Sequence, residues 1–222
     1  MVRQRLDPVL RPGSDATREV LCQTVAAREN LAPVIVATAA NANWLVMEFV
    51  EGTVWRQRDL LAPEGLRRLG RKLAALHHCA VPTQLAAVDP VAIARGQLRE
   101  IAGHSPAQLS VARLAALQIM DIVAAQADSG GAHAIVHGDL QASNLVGPEP
   151  LMVDWEYAQI ADPTYDIACL LVYYPQLEPS LEALLGAAQL DRPSDRRRLA
   201  LQRELFGCLN RLWILANGSA AG

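Results

Sequence analysis

In His137-Gly-Asp139-Leu-Gln-Ala-Ser-Asn144, a carboxylate and an amide stand five residues apart in a polar stretch, and Asp154 follows ten residues later. Leu145-Val146 and Leu151-Met-Val153 are short apolar strands with Gly147-Pro148 turning between them, which predicts a hairpin. A hairpin brings its two ends together, so Asn144 before it and Asp154 after it become neighbours. An amide oxygen beside a carboxylate is a pair of hard ligands suited to Mg²⁺ held against phosphates. Asp139, just upstream, can accept the proton of an attacking hydroxyl. An Asp, an Asn five residues on and a second Asp after a hairpin form a layout suited to metal-assisted phosphoryl transfer. The first spacing alone is moderately specific; the second Asp, in the right order and distance, sharpens it. The structural alternative makes Asp139 and Asn144 turn residues and Asp154 a helix cap.

These residues need a frame. Val2 to Leu6 reads as the end of a strand, followed by a Pro/Gly loop through Gly13. Ser14 and Asp15 offer N-caps for a helix to about Asn30. Two strands follow, Val34 to Thr38 and Trp44 to Phe49, joined by an Asn41-Ala-Asn43 turn. From Pro63 the pattern is helical, with Leu66, Leu69, Leu73 and Leu76 on one face and Arg67, Arg68, Arg71 and Lys72 on the other. Further helices are predicted over Val91–Ala102, Pro106–Ala127, Tyr165–Tyr174, Leu181–Leu190 and Ser194–Ala216. The expectation is an α+β chain: a small β-rich block over 1–52 and a larger, mainly helical one over 53–222.

Composition bounds the function. The chain has 222 residues, 51% hydrophobic and 19% charged, enough for a substantial core and too apolar for disorder. Its net charge of −3 lacks the basic excess of a nucleic-acid binder. Four cysteines are scattered singly, with no zinc spacing, and read as reduced packed side chains. The longest uncharged stretch, Asn30 to Met47, is broken by Pro33 and the Asn-rich turn, which suits a hairpin better than a membrane span. A soluble cytoplasmic protein, with neither nucleic acid nor membrane as partner, is the plain expectation. Of the 20 basic residues only Lys72 is lysine, leaving 20 − 1 = 19 arginines.

His137 to Val146 (HGDLQASNLV) and Val153 to Ala158 (VDWEYA) resemble the aminoglycoside phosphotransferase and choline kinase superfamily, which has a two-lobed, protein-kinase-like fold. The DWEYA string looks closest to the choline/ethanolamine and thiamine kinase branches. Met1-Val-Arg-Gln resembles the third strand of the thiamine-kinase-like small lobe and Arg18-Glu19 its following helix. Trp44 to Gly52 resembles the strand leading into the interlobe hinge. Leu73 to His77 resembles the first large-lobe helix, and Asp162-Pro-Thr-Tyr-Asp166 the segment after the metal Asp. The resemblance implies an ATP- and Mg²⁺-dependent kinase for a small hydroxyl compound. Asp139 would then be the catalytic base, and Asn144 and Asp154 the metal ligands. His137 would support the loop, and Asp166 would either brace it or cap its own helix. Met47, Glu48 and Val50 would form the adenine hinge.

The family also places a lysine or arginine on the third strand, contacting phosphates and pairing with a helix Glu. Lys72 lies on a large-lobe helix, so Arg3 with Glu19 takes that role, with Arg5 as competitor; arginine carries the charge permanently. No glycine-rich loop precedes Arg3. The small lobe is therefore expected to be truncated, either because the start is placed too late or because nucleotide binding is weakened. A catalytically weak, kinase-shaped binding module is the alternative. Trp155, Glu156 and Tyr157, beside the metal Asp, suit a cationic acceptor such as choline, ethanolamine or thiamine, an aminoglycoside being the other option. Trp155 and Tyr157 serve equally well as packing residues, and Trp213 reads as core. Gly65 to Lys72 imitates a P-loop and Gly103 to Ala107 a hydrolase elbow, but they read as helix and loop. His77-His78 reads as a packed or capping pair.

Overall fold

The computed structural model describes residues 2–4, 13–39, 44–103, 105–127 and 133–218, with backbone alone at 2–4 and 127. At the N-terminal end, strands β1 (Val2–Gln4), β2 (Ile35–Thr38) and β3 (Trp44–Met47) form an antiparallel sheet in the order β1-β3-β2. Helix α1 (Ala16–Arg28) packs beside β2, and the Asp15 carboxylate accepts the Arg18 amide hydrogen as its cap. The Asn41–Asn43 turn and the loop before Gly13 lie outside the described residues.

The helical body holds α2 (Gln57–Leu61), α3 (Pro63–His77), α4 (Pro90–Ile101), α5 (Pro106–Ala127), α6 (Thr164–Tyr173), α7 (Leu181–Ala187) and α8 (Pro193–Asn217). Helix α3 starts at Pro63, whose missing N–H costs nothing in the first turn, and buries Leu66, Leu69, Leu73 and Leu76 as their spacing predicts. The P-loop imitation is thus helix. Helix α6 is buried along nearly its whole length and packs against α8, which in turn packs on α5. Helix α2 was not anticipated, nor was the pairing of β7 (Gln159–Ala161) antiparallel with β4 (Ala134–Val136), across a stretch whose short apolar runs suggest strands. By length and composition, Pro106–Gln126 of α5 could cross a membrane.

Between sheet and body sits the expected hairpin, β5 (Leu145–Val146) with β6 (Leu151–Met152). Its outer edges are closed by the N-terminal chain. The Met152 amide donates to Leu31 O (2.8 Å), the Gly147 amide to Thr53 O (3.0 Å) and the Trp55 amide to Leu145 O (2.9 Å). Arg18 of α1 adds a donation from Nε to Ala158 O, 2.7 Å. Two strands that would be marginal alone are thereby built into a larger hydrogen-bonded unit.

Candidate active site

The loop from His137 to Asn144 connects β4 to the hairpin and ends in one 3₁₀ turn, Ala142–Asn144. It is fastened from below by Asp166, fully buried in the first turn of α6. The Asp166 carboxylate accepts the His137 and Gly138 amides, each at 3.1 Å, and His77 Nε2 lies 3.1 Å from its Oδ2. A carboxylate can only accept, so His77 Nε2 carries the hydrogen. Asp166 therefore braces the loop and makes no cap. His137 turns its ring the other way, with Nε2 2.9 Å from Val153 O and its ring tilted against Trp155 at a centroid distance of 4.9 Å. Gly138 has φ +79°, and a Cβ there would stand 2.2 Å from Tyr157 O; only glycine lets the two segments approach.

This bracing presents Asp139. Its Oδ1 accepts Gln141 Nε2 (3.0 Å) and the Tyr173 hydroxyl (2.8 Å), and its Oδ2 accepts Asn144 Nδ2 (3.2 Å). A carboxylate offers about four acceptor positions, so the remaining one belongs to Oδ2. The Tyr173 phenol is raised far above its ordinary range, first by burial and then by Cys169 and Asp139, and so stays a donor. Asn144 also gives Nδ2 to Asp139 O (2.8 Å), which turns its amide oxygen away from that residue.

The Val153 amide donates to Asn144 O at 2.9 Å, so the hairpin does bring the segments holding Asn144 and Asp154 together. Asp154 adopts φ +66°, a left-handed conformation that Asp tolerates, and its Oδ1 is sequestered from solvent. Amide oxygen and carboxylate are both hard donors and fit Mg²⁺. Among the described residues no three His, Cys, Asp or Glu side chains cluster for a metal, which leaves the rest of such a shell to phosphate oxygens and water.

Beside Asp139 opens a cavity of about 520 Å³. Glu156 and Tyr157 line it, as do Tyr173, Phe206 and Trp213. Tyr173 and Phe206 meet edge to face at 5.3 Å, and Trp213 Nε1 donates to the Tyr157 hydroxyl at 2.9 Å. Trp155 is not part of this wall. It is fully buried with Nε1 donated to Met152 O (2.8 Å), because a ring following the hairpin packs beneath the loop. Trp213, expected in the core, lines the cavity instead. Tyr173 and Gln141 were not singled out in the sequence; a tyrosine at the end of the apolar run Ile167–Val172 is the available signal, since its hydroxyl needs a partner when buried.

Among the described residues, Met47, Glu48, Val50 and Glu19, expected at the nucleotide, do not line this cavity. Met47 is buried, with Gln23 Nε2 3.8 Å from its Sδ. Glu48 is exposed and its amide donates to Val34 O (2.9 Å), while Val50 is half-buried. Glu19 is buried in the first turn of α1. Arg3 stands opposite Leu45 in the sheet, its side chain outside the description, and Arg5 lies outside the described residues altogether.

Comparison with solved structures places this architecture among known kinases. A choline/ethanolamine kinase family protein from Mesorhizobium loti is 21% identical with a TM-score of 0.72, over 94% of this chain and 73% of that one. The choline kinase LicA of Streptococcus pneumoniae is 14% identical with a TM-score of 0.78, over 100% and 78% of the two chains. The GDP complex of aminoglycoside 2′-phosphotransferase-IIIa is 16% identical with a TM-score of 0.62, over 98% and 85%. At these identities the likeness is one of fold: a protein-kinase-like architecture with a small β-rich lobe and a helical lobe. No curated protein sequence matches the chain. The model of the phosphotransferase enzyme family matches residues 8–201, which takes in the loop, the hairpin, α6 and the start of α8, and the chain belongs to that family.

Proposed function

We propose that the protein is an ATP- and Mg²⁺-dependent kinase that phosphorylates a hydroxyl of a small cationic compound. The observation that supports it best is Asp139, held by three neutral donors and keeping one acceptor position on Oδ2, beside a cavity lined by Glu156 and aromatic rings. An acceptor hydroxyl donates to that Oδ2 position, which aims its oxygen at the γ-phosphorus. As the new O–P bond forms, the bond from γ-phosphorus to the β,γ-bridging oxygen breaks, ADP leaves, and the hydroxyl proton passes to Asp139. An aspartate is a weak base for an alcohol, so positioning dominates and the proton moves late. Mg²⁺ bound by Asn144 and Asp154 would neutralise charge on the phosphates. Tyr173, Gln141 and Asn144 fix the carboxylate, and Asp166 with His77 fixes the loop beneath it.

For the nucleotide, the proposal seats adenine against the backbone of Met47–Val50, with Arg3 and Glu19 at the phosphates. For the acceptor, Tyr157, Tyr173 and Trp213 offer ring faces and Glu156 a carboxylate to a cationic nitrogen. The free cysteines suit a reducing compartment, and we assign the enzyme to the cytoplasm. ADP formation with choline, ethanolamine, thiamine and an aminoglycoside, each with wild type and Asp139→Asn, tests the reading. The expected result is acceptor-dependent turnover lost in the variant. Equal turnover in both would defeat the mechanism, and ATP binding without turnover for any acceptor would favour a binding module.

A further inference from the structure

Helix α5 is apolar on nearly every face, yet only one side of it packs: Ala112, Ala115 and Ile119 are fully buried, and Ile122 is buried. Val111, Leu114, Leu117 and Met120 are 46–58% exposed, an apolar stripe in solvent on a 22-residue helix. A helix this apolar is ordinarily surrounded by protein or lipid.

The order of residues along this face is self-complementary about Leu117. Three positions before and after stand Leu114 and Met120, both apolar. Four before and after stand Arg113 and Asp121, opposite in charge, and seven before and after stand Ser110 and Ala124, both small. All six are exposed, and the Ser110 hydroxyl is already satisfied by Pro106 O at 2.9 Å. Positions 3, 4 and 7 residues apart share one face of an α-helix. Two copies of α5 crossing antiparallel at Leu117 would oppose Leu114 to Met120, Ser110 to Ala124 and Arg113 to Asp121, twice each by symmetry. Within one helix, Arg113 and Asp121 are eight residues or about 12 Å apart, too far to pair.

We infer that this face is a homodimer interface, formed by α5 from two copies of the chain in an antiparallel, two-fold arrangement. An isologous contact requires a patch complementary to itself, and the charge order supplies that. The same charges oppose a bilayer as occupant, since both would enter the hydrocarbon beside Leu117. One helix pair is smaller than a standard interface of ~1,600 Å², so the dimer is a weak one.

The test is sedimentation equilibrium on the full chain, wild type against Arg113→Asp and Asp121→Arg. Wild type is expected to associate with a dissociation constant of tens of micromolar, roughly. Either variant alone opposes like charges and is expected to weaken association about tenfold or more. Mixed in equal amounts, the two variants regain both opposite-charge contacts and are expected to form a heterodimer of near wild-type affinity. Both variants should melt with the wild type, since the positions are exposed. A wild type that stays monomeric would overturn the inference, as would a mixture associating no better than its components. Flotation of monomeric wild type with phosphatidylcholine vesicles would overturn it in favour of a membrane.

Discussion

Replacing Asp166 by Asn tests the foundation beneath Asp139. The carboxylate serves three donors, the amides of His137 and Gly138 and His77 Nε2, all at 3.1 Å, in a fully buried position. Asparagine keeps the shape but has one oxygen. Whichever way its amide is turned, an NH₂ faces a backbone N–H, and that donor is orphaned in the interior. If the NH₂ replaces Oδ2, His77 can adapt by moving its hydrogen to Nδ1, but the His137 amide cannot. If it replaces Oδ1, the Gly138 amide is stranded. One buried unsatisfied donor costs about 1–3 kcal/mol, and loss of charge from the bonds that remain adds about 1 kcal/mol. A total of about 2–4 kcal/mol in a chain of this size lowers the melting temperature by about 5–15 °C. The stranded amide belongs to the residue two before, or one before, Asp139, so kcat should fall by about a hundredfold while the KM for ATP changes little. Thermal unfolding followed by circular dichroism, with an ADP-release assay on the same preparations, reads both effects. A variant melting within about 2 °C of wild type at full turnover would refute the brace.

Other consequences are open to measurement. Tyr173→Phe keeps the cavity's ring and removes its hydrogen bond to Asp139, so kcat should fall about 10–100-fold with acceptor KM nearly constant; unchanged kcat in steady-state assays would count against it. The two tryptophans should separate: Trp155→Ala empties a buried site and costs about 3–5 kcal/mol in denaturant unfolding, whereas Trp213→Ala stays folded and raises acceptor KM. Alkaline pH should destabilise the fold. Burial raises the Cys22 thiol to about 12 and lifts Cys169 and the phenols of Tyr165 and Tyr173 above their ordinary values. All four are neutral when protonated, so the native state keeps protons that the unfolded chain releases. That stability is complete below about pH 8.5 and lost as pH rises, at up to ~1.4 kcal/mol per pH unit for each thiol. Urea unfolding at several alkaline pH values should show this decline, and Cys22→Ala should flatten it; an identical slope in the variant would count against the assignment.

The loop from His137 to Asn144 was legible in the sequence because its parts are local. Asp139, Asn144 and Asp154 lie within one loop and one hairpin, so spacing and turn chemistry suffice to place them. Helix boundaries followed for the same reason, since α3 and α5 carry periodic leucines and proline starts. Of the cavity wall, Glu156 and Tyr157 were legible beside Asp154, but the rings from α6 and α8 were not. Tyr173 and Trp213 reach it through packing of α6 on α8, and an apolar pattern does not say whether a ring faces core or cavity. Trp155 misled for the converse reason: proximity in sequence to Asp154 says nothing about the side of the chain on which a ring falls. Asp166 could be read as cap or brace, a choice that depends on a loop 28 residues away.

The hairpin's outer hydrogen bonds have a mechanical meaning. Leu31 is pinned to β6 and Thr53 to Gly147, so the chain between them is a flap stitched down at both ends, with β2 and β3 inside it. Together with β1 and α1, which are joined to β3 and β2, it swings about the line between the two stitches more readily than it twists or slides. The stitches fall on the hairpin that separates Asn144 from Asp154, which places those two beside the axis, where displacement is smallest. Met47 and Glu48, paired with Ile35 and Val34, lie near the same stitched base, and the far ends of β2 and β3, at Thr38 and Trp44, travel most.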